Sequence, residues 1–125
     1  MVTDRFAPSS PCTWEMGLRR VYWELVASGR KSVEVRVRYP KLDGLGAGDY
    51  IRFVCEGDVC LTRVVRITVY SSFEEMIDAE GAENVNPDVS RDQQLADIRD
   101  IYGPEKEALG VLALEVVCES DATGL

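Results

Sequence analysis

The chain has 125 residues, 46% of them hydrophobic, and a formal net charge of −8 at pH 7. This length suits one domain around one core, and the apolar content argues against a disordered chain. No apolar run approaches the roughly 20 residues that a membrane helix needs, and the opening segment has no apolar signal region. We therefore expect a soluble, cytoplasmic protein without membrane contact.

The cysteine and histidine content limits the available chemistry. The chain has four cysteines, none in a CxxC pair, and no histidine, so we expect no metal site and no cofactor. Serine–histidine and cysteine–histidine pairs are excluded, which leaves acid–base work to Lys, Glu, Asp, Tyr or Cys. Cys55 and Cys60 flank a predicted hairpin turn and could be close enough for a disulfide, but a cytoplasmic chain favours reduced thiols.

Basic residues are concentrated in the first third of this acidic chain. Between positions 19 and 41 they outnumber the acidic residues; they are Arg19, Arg20, Arg30, Lys31, Arg36, Arg38 and Lys41, against Glu24 and Glu34. The chain as a whole repels a polyanion, whereas this segment could attract phosphate groups locally. A solvated surface explains a short basic cluster equally well.

The chain begins with a segment that predicts no regular structure. Residues 1–12 are expected to form a flexible leader. Residues 14–16 alternate apolar and acidic side chains, as a short strand does. The segment 19–28 places its apolar residues on one helical face, and Gly29 suits the position after the helix cap.

The segment 33–38 predicts a strand whose two faces differ. Val33, Val35 and Val37 alternate with charged residues, and this period of two sends the valines to a core. The opposite face carries a row of polar side chains, which are Ser32, Glu34, Arg36 and Arg38. Lys31 stands at the strand entrance, although a surface lysine after a helix cap is also common. This row is the candidate site.

A hairpin is predicted next. Tyr39-Pro40 ends regular pairing, and the glycine-rich segment 42–48 is expected to be a loop. Residues 49–56 predict a strand, and a turn joins it to a second strand over residues 59–70. Because the apolar residues of the later strand do not alternate cleanly, we expect a bulge in it.

Two helices follow the hairpin. A capping box at Ser72 begins a helix that ends near Gly81, and a second box at Ser90 begins another, which Gly103-Pro104 ends. Between them, residues 82–87 are expected to form a turn-rich polar loop. The apolar stripe of the second helix consists of Leu95, Ile98, Ile101 and Tyr102.

The last predicted element is a nearly continuously apolar strand over residues 110–118, which suggests a central position in the sheet. Residues 119–125 are expected to be a flexible tail. The order of the elements predicts one α+β domain over residues 13–118, with a barrel-like sheet and helices packed outside it.

The start of the candidate strand resembles a family signature. Gly29-x-Lys31-x-x-Glu34-x-Arg36 is similar to the GxKxxExR signature of the ASCH family (activating signal cointegrator homology). Further landmarks similar to this family are Tyr39-Pro40-Lys41, Gly48-Asp49, Phe53, Ser72-Phe73, Glu80-Gly81, Glu83-Asn84, Pro87, Ile101-Tyr102 and the closing apolar strand. The resemblance covers residues 14–118.

This resemblance implies a small β-barrel of mostly antiparallel strands, related to the PUA fold, with helices around it and a cleft lined by the signature. It also implies binding of RNA or a nucleotide. The candidate binding residues are Lys31, Glu34, Arg36, Arg38, Tyr39, Lys41 and Tyr102. The cations would contact phosphate, Glu34 would accept from a base amine, and the tyrosines, or Trp23, would stack on an unpaired base.

A second interpretation comes from family members that hydrolyse N4-acetylcytidine. They carry a lysine matching Lys31, a threonine in the place of Glu34, and a loop glutamate that aligns with Glu83. On this interpretation the chain is an amidohydrolase for a modified nucleoside, or a ribonuclease. Its catalytic residues would be Lys31, Glu34 and Glu83. Since the threonine is replaced here, RNA or nucleotide binding is the main hypothesis. On a third interpretation the chain is a partner-binding domain, and its acidic helices contact another protein.

Overall fold

The computed structural model describes residues 11–119. Residues 1–10 of the expected leader and residues 120–125 of the expected tail lie outside this range. Cys12 already contacts the domain, because its N–H donates to Asp49 Oδ1 and its carbonyl accepts from the Tyr50 N–H.

The described strands form one curled mixed sheet, a half-barrel. They are β1 (Thr13–Gly17), β2 (Val33–Val37), β3 (Tyr50–Cys55), β4 (Asp58–Tyr70) and β5 (Val111–Cys118). Their order across the sheet is β1-β3-β4-β5-β2; β1 runs parallel to β3, and the other neighbours are antiparallel. The α+β class and the mostly antiparallel, barrel-like sheet are therefore confirmed, and β1 and β2 are the two open edges.

The helices pack around this sheet. They are α1 (Arg20–Ala27), α2 (Phe73–Glu80), α3 (Ala82–Val85), α4 (Arg91–Ile101) and α5 (Pro104–Glu107), and a 3₁₀ turn covers Pro40–Leu42. Both predicted capping boxes are confirmed on the N-cap side. The Ser72 side chain accepts from the Glu75 N–H, and the Ser90 side chain accepts from the Gln93 N–H. Each bond satisfies one backbone donor that the first helical turn leaves free.

Two expectations for the helical region are wrong. Residues 82–87 are not all loop, because α3 begins directly after Gly81. That glycine has φ 95°, which ends α2, and Asn84 Nδ2 then donates to the last α2 carbonyl, Glu80 O, at 2.8 Å. Ile101 is not buried, since 42% of it is exposed at the end of α4.

The apolar core lies on both faces of the sheet. One part joins β2 and β5 to the helices; its members are Val33, Val35, Val37, Phe73, Met76, Ile77, Val85, Val111 and Ala113. The other part consists of Met16, Val26, Ile51, Phe53, Val64, Leu112, Leu114 and Val116. Since side chains alternate along a strand, Glu34 and Arg36 face away from the β2 valines. A hydrogen bond from Arg36 Nη2 to the Gly17 carbonyl joins this face of β2 to β1 at the open edge.

The hairpin confirms the predicted bulge and does not place Cys55 opposite Cys60. The β4–β5 register shifts between Val64 and Arg66. In the β3–β4 hairpin, Cys60 lies opposite Phe53, not Cys55, and all four cysteines are free. The neighbour of Cys60 is Cys118 on β5, with 3.8 Å between the two sulfurs.

Candidate functional site

A cavity of about 190 Å³ lies where the open edges β1 and β2 approach α4. We call it the first hollow. Its lining residues are Gly17, Leu18, Arg19, Tyr22, Lys31, Glu34, Val35, Arg36, Val85, Asn86, Gln94, Asp97, Ile98, Ile101 and Tyr102. The structure thus brings Lys31, Glu34 and Arg36 of the signature together, with Tyr102 on the same wall.

Lys31 is buried at the base of the first hollow, with 5% of its surface exposed. Its Nζ donates to the carbonyls of Val33 at 2.7 Å and Val85 at 2.9 Å, and it lies 3.4 Å from Glu34 Oε1. The two carbonyls engage two of the three N–H donors of the ammonium group, and Glu34 lies within ion-pair distance of it. Burial lowers the pKa of Lys31, and the neighbouring carboxylate opposes that shift.

Gly29 brings Lys31 to this position. Its φ of 80° reverses the chain after α1, and the Lys31 N–H then donates to the Leu25 carbonyl at 3.0 Å. The side chain enters the domain between β2 and the end of α3. Lys31 therefore holds these two elements together and also positions Glu34.

Glu34 and Arg36 form the part of the network nearer to solvent. Glu34 is 5% exposed, and its Oε2 accepts from Arg36 Nε at 2.8 Å. Arg36 Nη2 donates to the Gly17 carbonyl at 3.0 Å, so its side chain bridges β2 and β1 across the open edge. Within residues 11–119, no protein acceptor engages Arg36 Nη1. The guanidinium therefore keeps a free donor at the hollow.

Gln94 is a site residue that the sequence analysis missed. Its Nε2 donates to the carbonyls of Ala82, Asn86 and Val89 at 2.8, 2.9 and 2.9 Å, which ties α4 to α3 and to the segment after it. These carbonyls fix the amide orientation, because a flipped oxygen would face three acceptors. Among the described residues, Gln94 Oε1 is buried without a partner. It is therefore an unused acceptor in the wall of the hollow.

The α4 face of the first hollow has a recognisable spacing. Gln94, Asp97, Ile98 and Ile101 follow the i, i+3, i+4, i+7 pattern of one helical face. A glutamine and an aspartate directly beside the apolar stripe were the signal available in the sequence. Asp97 Oδ1 accepts from Gln93 Nε2 at 2.8 Å, so its other oxygen is free of protein donors within residues 11–119.

A second hollow of about 260 Å³ adjoins the first. Both are lined by Gly17, Arg36 and Tyr102; the other residues of the second are Trp14, Glu15, Met16, Tyr39, Lys41 and Leu42. The ammonium of Lys41 lies 5.9 Å from the centroid of the Tyr39 ring, and the ammonium of Lys106 lies 5.4 Å from it. Tyr39 and Lys41 therefore lie in the second hollow, not in the first.

Other candidates lie outside both hollows. Glu83, a catalytic candidate only on the hydrolase interpretation, is exposed on α3 and lines neither hollow, because Val85 is the residue that this helix turns inward. Arg38 is exposed beyond the end of β2. Trp23 donates from its indole to the Phe53 carbonyl at 2.9 Å and also lines neither hollow.

The described part of the chain offers no evident metal site. Within residues 11–119, no three His, Cys, Asp or Glu side chains come close enough together to hold a metal ion. In the same range, every helix is too short or too polar to cross a membrane.

Comparison with known proteins identifies the family. The ASCH domain model matches residues 16–119. Hypothetical protein PH0355 is 40% identical in sequence to this chain. Its crystal structure is similar, with a TM-score of 0.79, and the match covers 86% of this chain and 99% of that one. PF0455 from Pyrococcus furiosus is 39% identical, with a TM-score of 0.73 over 87% and 99%.

A more distant structure shares the fold. The ASCH protein from Zymomonas mobilis is 16% identical, with a TM-score of 0.60 over 83% of this chain and 66% of that one. No curated protein matches the chain. The family match covers nearly all of the described domain, including the signature that lines the first hollow. The chain therefore belongs to the ASCH domain family.

Proposed function

We propose that the protein binds single-stranded RNA, or a nucleotide, and holds one unpaired base in the first hollow. The observation that carries this proposal is the buried network of Lys31, Glu34 and Arg36 beside a cavity. Buried charges are costly unless they are paired and hydrogen-bonded, and such networks in clefts are typical of ligand sites. Family membership supports a nucleic-acid ligand only in general terms.

The size of the first hollow supports a ligand of one ring system. Its volume is about 190 Å³. Pockets that enclose drug-sized molecules are larger, at about 300–1,000 Å³. A base can therefore enter, while its sugar and phosphate remain at the mouth, where Arg19 and Arg36 lie.

The polar groups of the first hollow that can form further hydrogen bonds suit the edge of a base. Glu34 and Gln94 Oε1 can accept from ring or amine N–H groups, and Arg36 Nη1 can donate to a ring nitrogen or carbonyl. Asn86 is buried in the same wall, and its Oδ1 already accepts from the Asp88 N–H at 3.1 Å, so its Nδ2 is a second donor. In this proposal Lys31 positions Glu34 and does not itself contact phosphate.

The test is RNA binding by an arginine variant and a matched control. Fluorescence anisotropy with a labelled RNA of about ten mixed nucleotides should show binding that weakens as salt rises from about 50 to 200 mM. Arg36→Met should weaken binding about 5- to 150-fold, the equivalent of a lost bidentate contact. Arg63→Met removes a half-buried arginine that pairs with Glu119. Because Arg63 lines neither hollow, its loss should change binding little.

Two results would contradict the proposal. One is a wild-type protein that binds none of these RNAs at low salt. The other is equal loss of binding in Arg36→Met and Arg63→Met while both variants remain folded by circular dichroism, since that result would show a general charge effect without a role for the hollow.

Amide hydrolysis on a modified nucleoside is a second candidate function. One observation favours it: burial lowers the pKa of Lys31, and a lysine of lowered pKa can act as a base. The engaged donors of Lys31 and the position of Glu83 favour binding instead. Incubation with N4-acetylcytidine and chromatography decides between them. Cytidine and acetate formed above the level of a Lys31→Met control would establish hydrolysis, and no product would exclude it for this substrate.

A further inference from the structure

The second hollow is a candidate site that the proposed function leaves unused. It shares Gly17, Arg36 and Tyr102 with the first hollow, so only one wall separates the two cavities. Its volume is about 260 Å³ against about 190 Å³ for the first. A ligand that fills the first hollow can therefore continue over this wall into the second.

Aromatic rings line the second hollow, and their positions are held by neighbours. The Trp14 indole donates to Asp49 Oδ2 at 3.0 Å, and Tyr102 stacks on Phe73 with 5.7 Å between ring centroids. Tyr39 provides a third ring and packs against the helical part of the core. Fixed rings favour stacking with bases, which contributes about 1–3 kcal/mol for each base in single-strand binding proteins.

Within residues 11–119, three of the four cations without an ion-pair partner line these hollows or lie over the Tyr39 ring beside them. Most lysines and arginines within residues 11–119 pair with a carboxylate; those that pair with none are Arg19, Arg38, Lys41 and Lys106. Arg19 lines the first hollow, Lys41 lines the second, and the Lys106 ammonium lies over the Tyr39 ring. An unpaired cation attracts phosphate without first giving up a carboxylate partner. Phosphate binding is therefore favoured beside both the first and the second hollow.

The carboxylate in the second hollow does not cancel this preference. Glu15 lies 3.3 Å from Arg52 Nη1, and this exposed pair offsets its charge. The hollow therefore combines stacking surfaces with net positive charge, and a nucleotide offers both a flat ring and a phosphate.

We propose that the second hollow holds the nucleotide next to the one in the first hollow. The smallest complete ligand is then a diribonucleotide whose linking phosphate lies beside Arg36, and whose second base contacts Trp14 and Tyr39. This inference rests on the proposed function, because it assumes that the first hollow holds a base.

Tryptophan fluorescence provides a test that separates the two hollows. The chain has two tryptophans, and Trp23 lines neither hollow, so Trp23→Phe leaves Trp14 as the reporter of the second hollow. The probes are the four ribonucleoside 5′-monophosphates and a mixed pool of 5′-phosphorylated diribonucleotides. We expect the diribonucleotides to bind about 5- to 150-fold more tightly and to quench Trp14, and the monophosphates to leave its emission unchanged.

A tyrosine variant and its control complete the experiment. In the Trp23→Phe protein, Tyr39→Leu should lower diribonucleotide affinity to the level of the monophosphates and leave monophosphate affinity unchanged. Tyr50→Leu, at a half-buried tyrosine of β3 that lines neither hollow, should change neither affinity.

The possible failures of the two proposals are distinguishable. Equal affinity for the two kinds of probe, with unchanged Trp14 emission, would overturn the second subsite and leave base binding in the first hollow intact. A full protein that binds neither these probes nor longer RNA would overturn both proposals together.

Discussion

Lys31→Met should destabilise the fold much more than a typical lysine substitution. Methionine keeps the length of the side chain but removes the ammonium group that donates to the carbonyls of Val33 and Val85 and pairs with Glu34. The carboxylate of Glu34 has only 7% of its side chain exposed, so water cannot replace the lost partner fully.

The expected loss follows from these contacts. Each buried carbonyl left without a donor costs about 1–3 kcal/mol, and breaking a buried ion pair by removing one partner costs about 3–5 kcal/mol. These terms overlap, because they arise from the same ammonium group, and Arg36 still compensates part of the Glu34 charge. We expect a net loss of about 3–5 kcal/mol, a large share of the ~5–15 kcal/mol that stabilises a typical domain.

Urea denaturation measures this loss. With a slope of about 2 kcal/mol per molar urea, the unfolding midpoint should fall by about 2 M. The double variant Lys31→Met/Glu34→Gln should lose less than Lys31→Met alone, because it leaves no uncompensated buried charge. Lys106→Met, at an exposed lysine with no ion-pair partner, should shift stability by about 0.5 kcal/mol or less. The reasoning is refuted if Lys31→Met stays within about 1 kcal/mol of wild type.

Three further predictions concern other buried or partnered groups. Hydrogen bonds from Arg66 hold the pKa of Glu80 below its ordinary value of 4.5. The stabilising contribution of Glu80 should therefore be present above pH 4.5 and be lost on acidification through the lower folded pKa. Glu80→Gln should flatten the acid side of a stability–pH curve measured by urea unfolding. Burial raises the pKa of Cys60 to about 12, so iodoacetamide near pH 8 should label it far more slowly in the folded than in the unfolded protein, as read by peptide mass spectrometry. Gln94→Leu should reduce stability by about 1–3 kcal/mol in urea unfolding, because the Val89 carbonyl loses its donor and the carbonyls of Ala82 and Asn86 each lose one of two. It should also weaken RNA binding. Unchanged values in any of these assays would contradict the corresponding contact.

Features that depend on a few consecutive residues were predictable from the sequence. The valine alternation of β2 predicts which side chains face the helical core, because neighbouring side chains in a strand point to opposite faces. The serines that begin α2 and α4 were also found, since a cap bonds to a backbone N–H only three residues away. In all these cases the residues concerned are close together in the sequence.

The helical wall of the site was harder to predict. Gln94 takes a buried position beside the stripe that pattern reasoning assigned to apolar residues alone, and α3 forms in a segment whose composition suggested a loop. In both cases tertiary hydrogen bonds override local preference: the Gln94 amide donates to the carbonyls of Ala82, Asn86 and Val89, and for Val89 it is the donor that the backbone does not supply.

The sequence by itself determined that Lys31, Glu34 and Arg36 belong to one strand and its entrance, with the charges opposite the valines. Only the tertiary structure decided what they meet. Lys31 bonds to a carbonyl 54 residues away, and Arg36 to one 19 residues away, which closes the gap between the two sheet edges. Contacts over such separations depend on how the elements pack, and packing leaves no periodic pattern in the chain. The same packing placed Tyr39 and Lys41 in a second hollow next to the first.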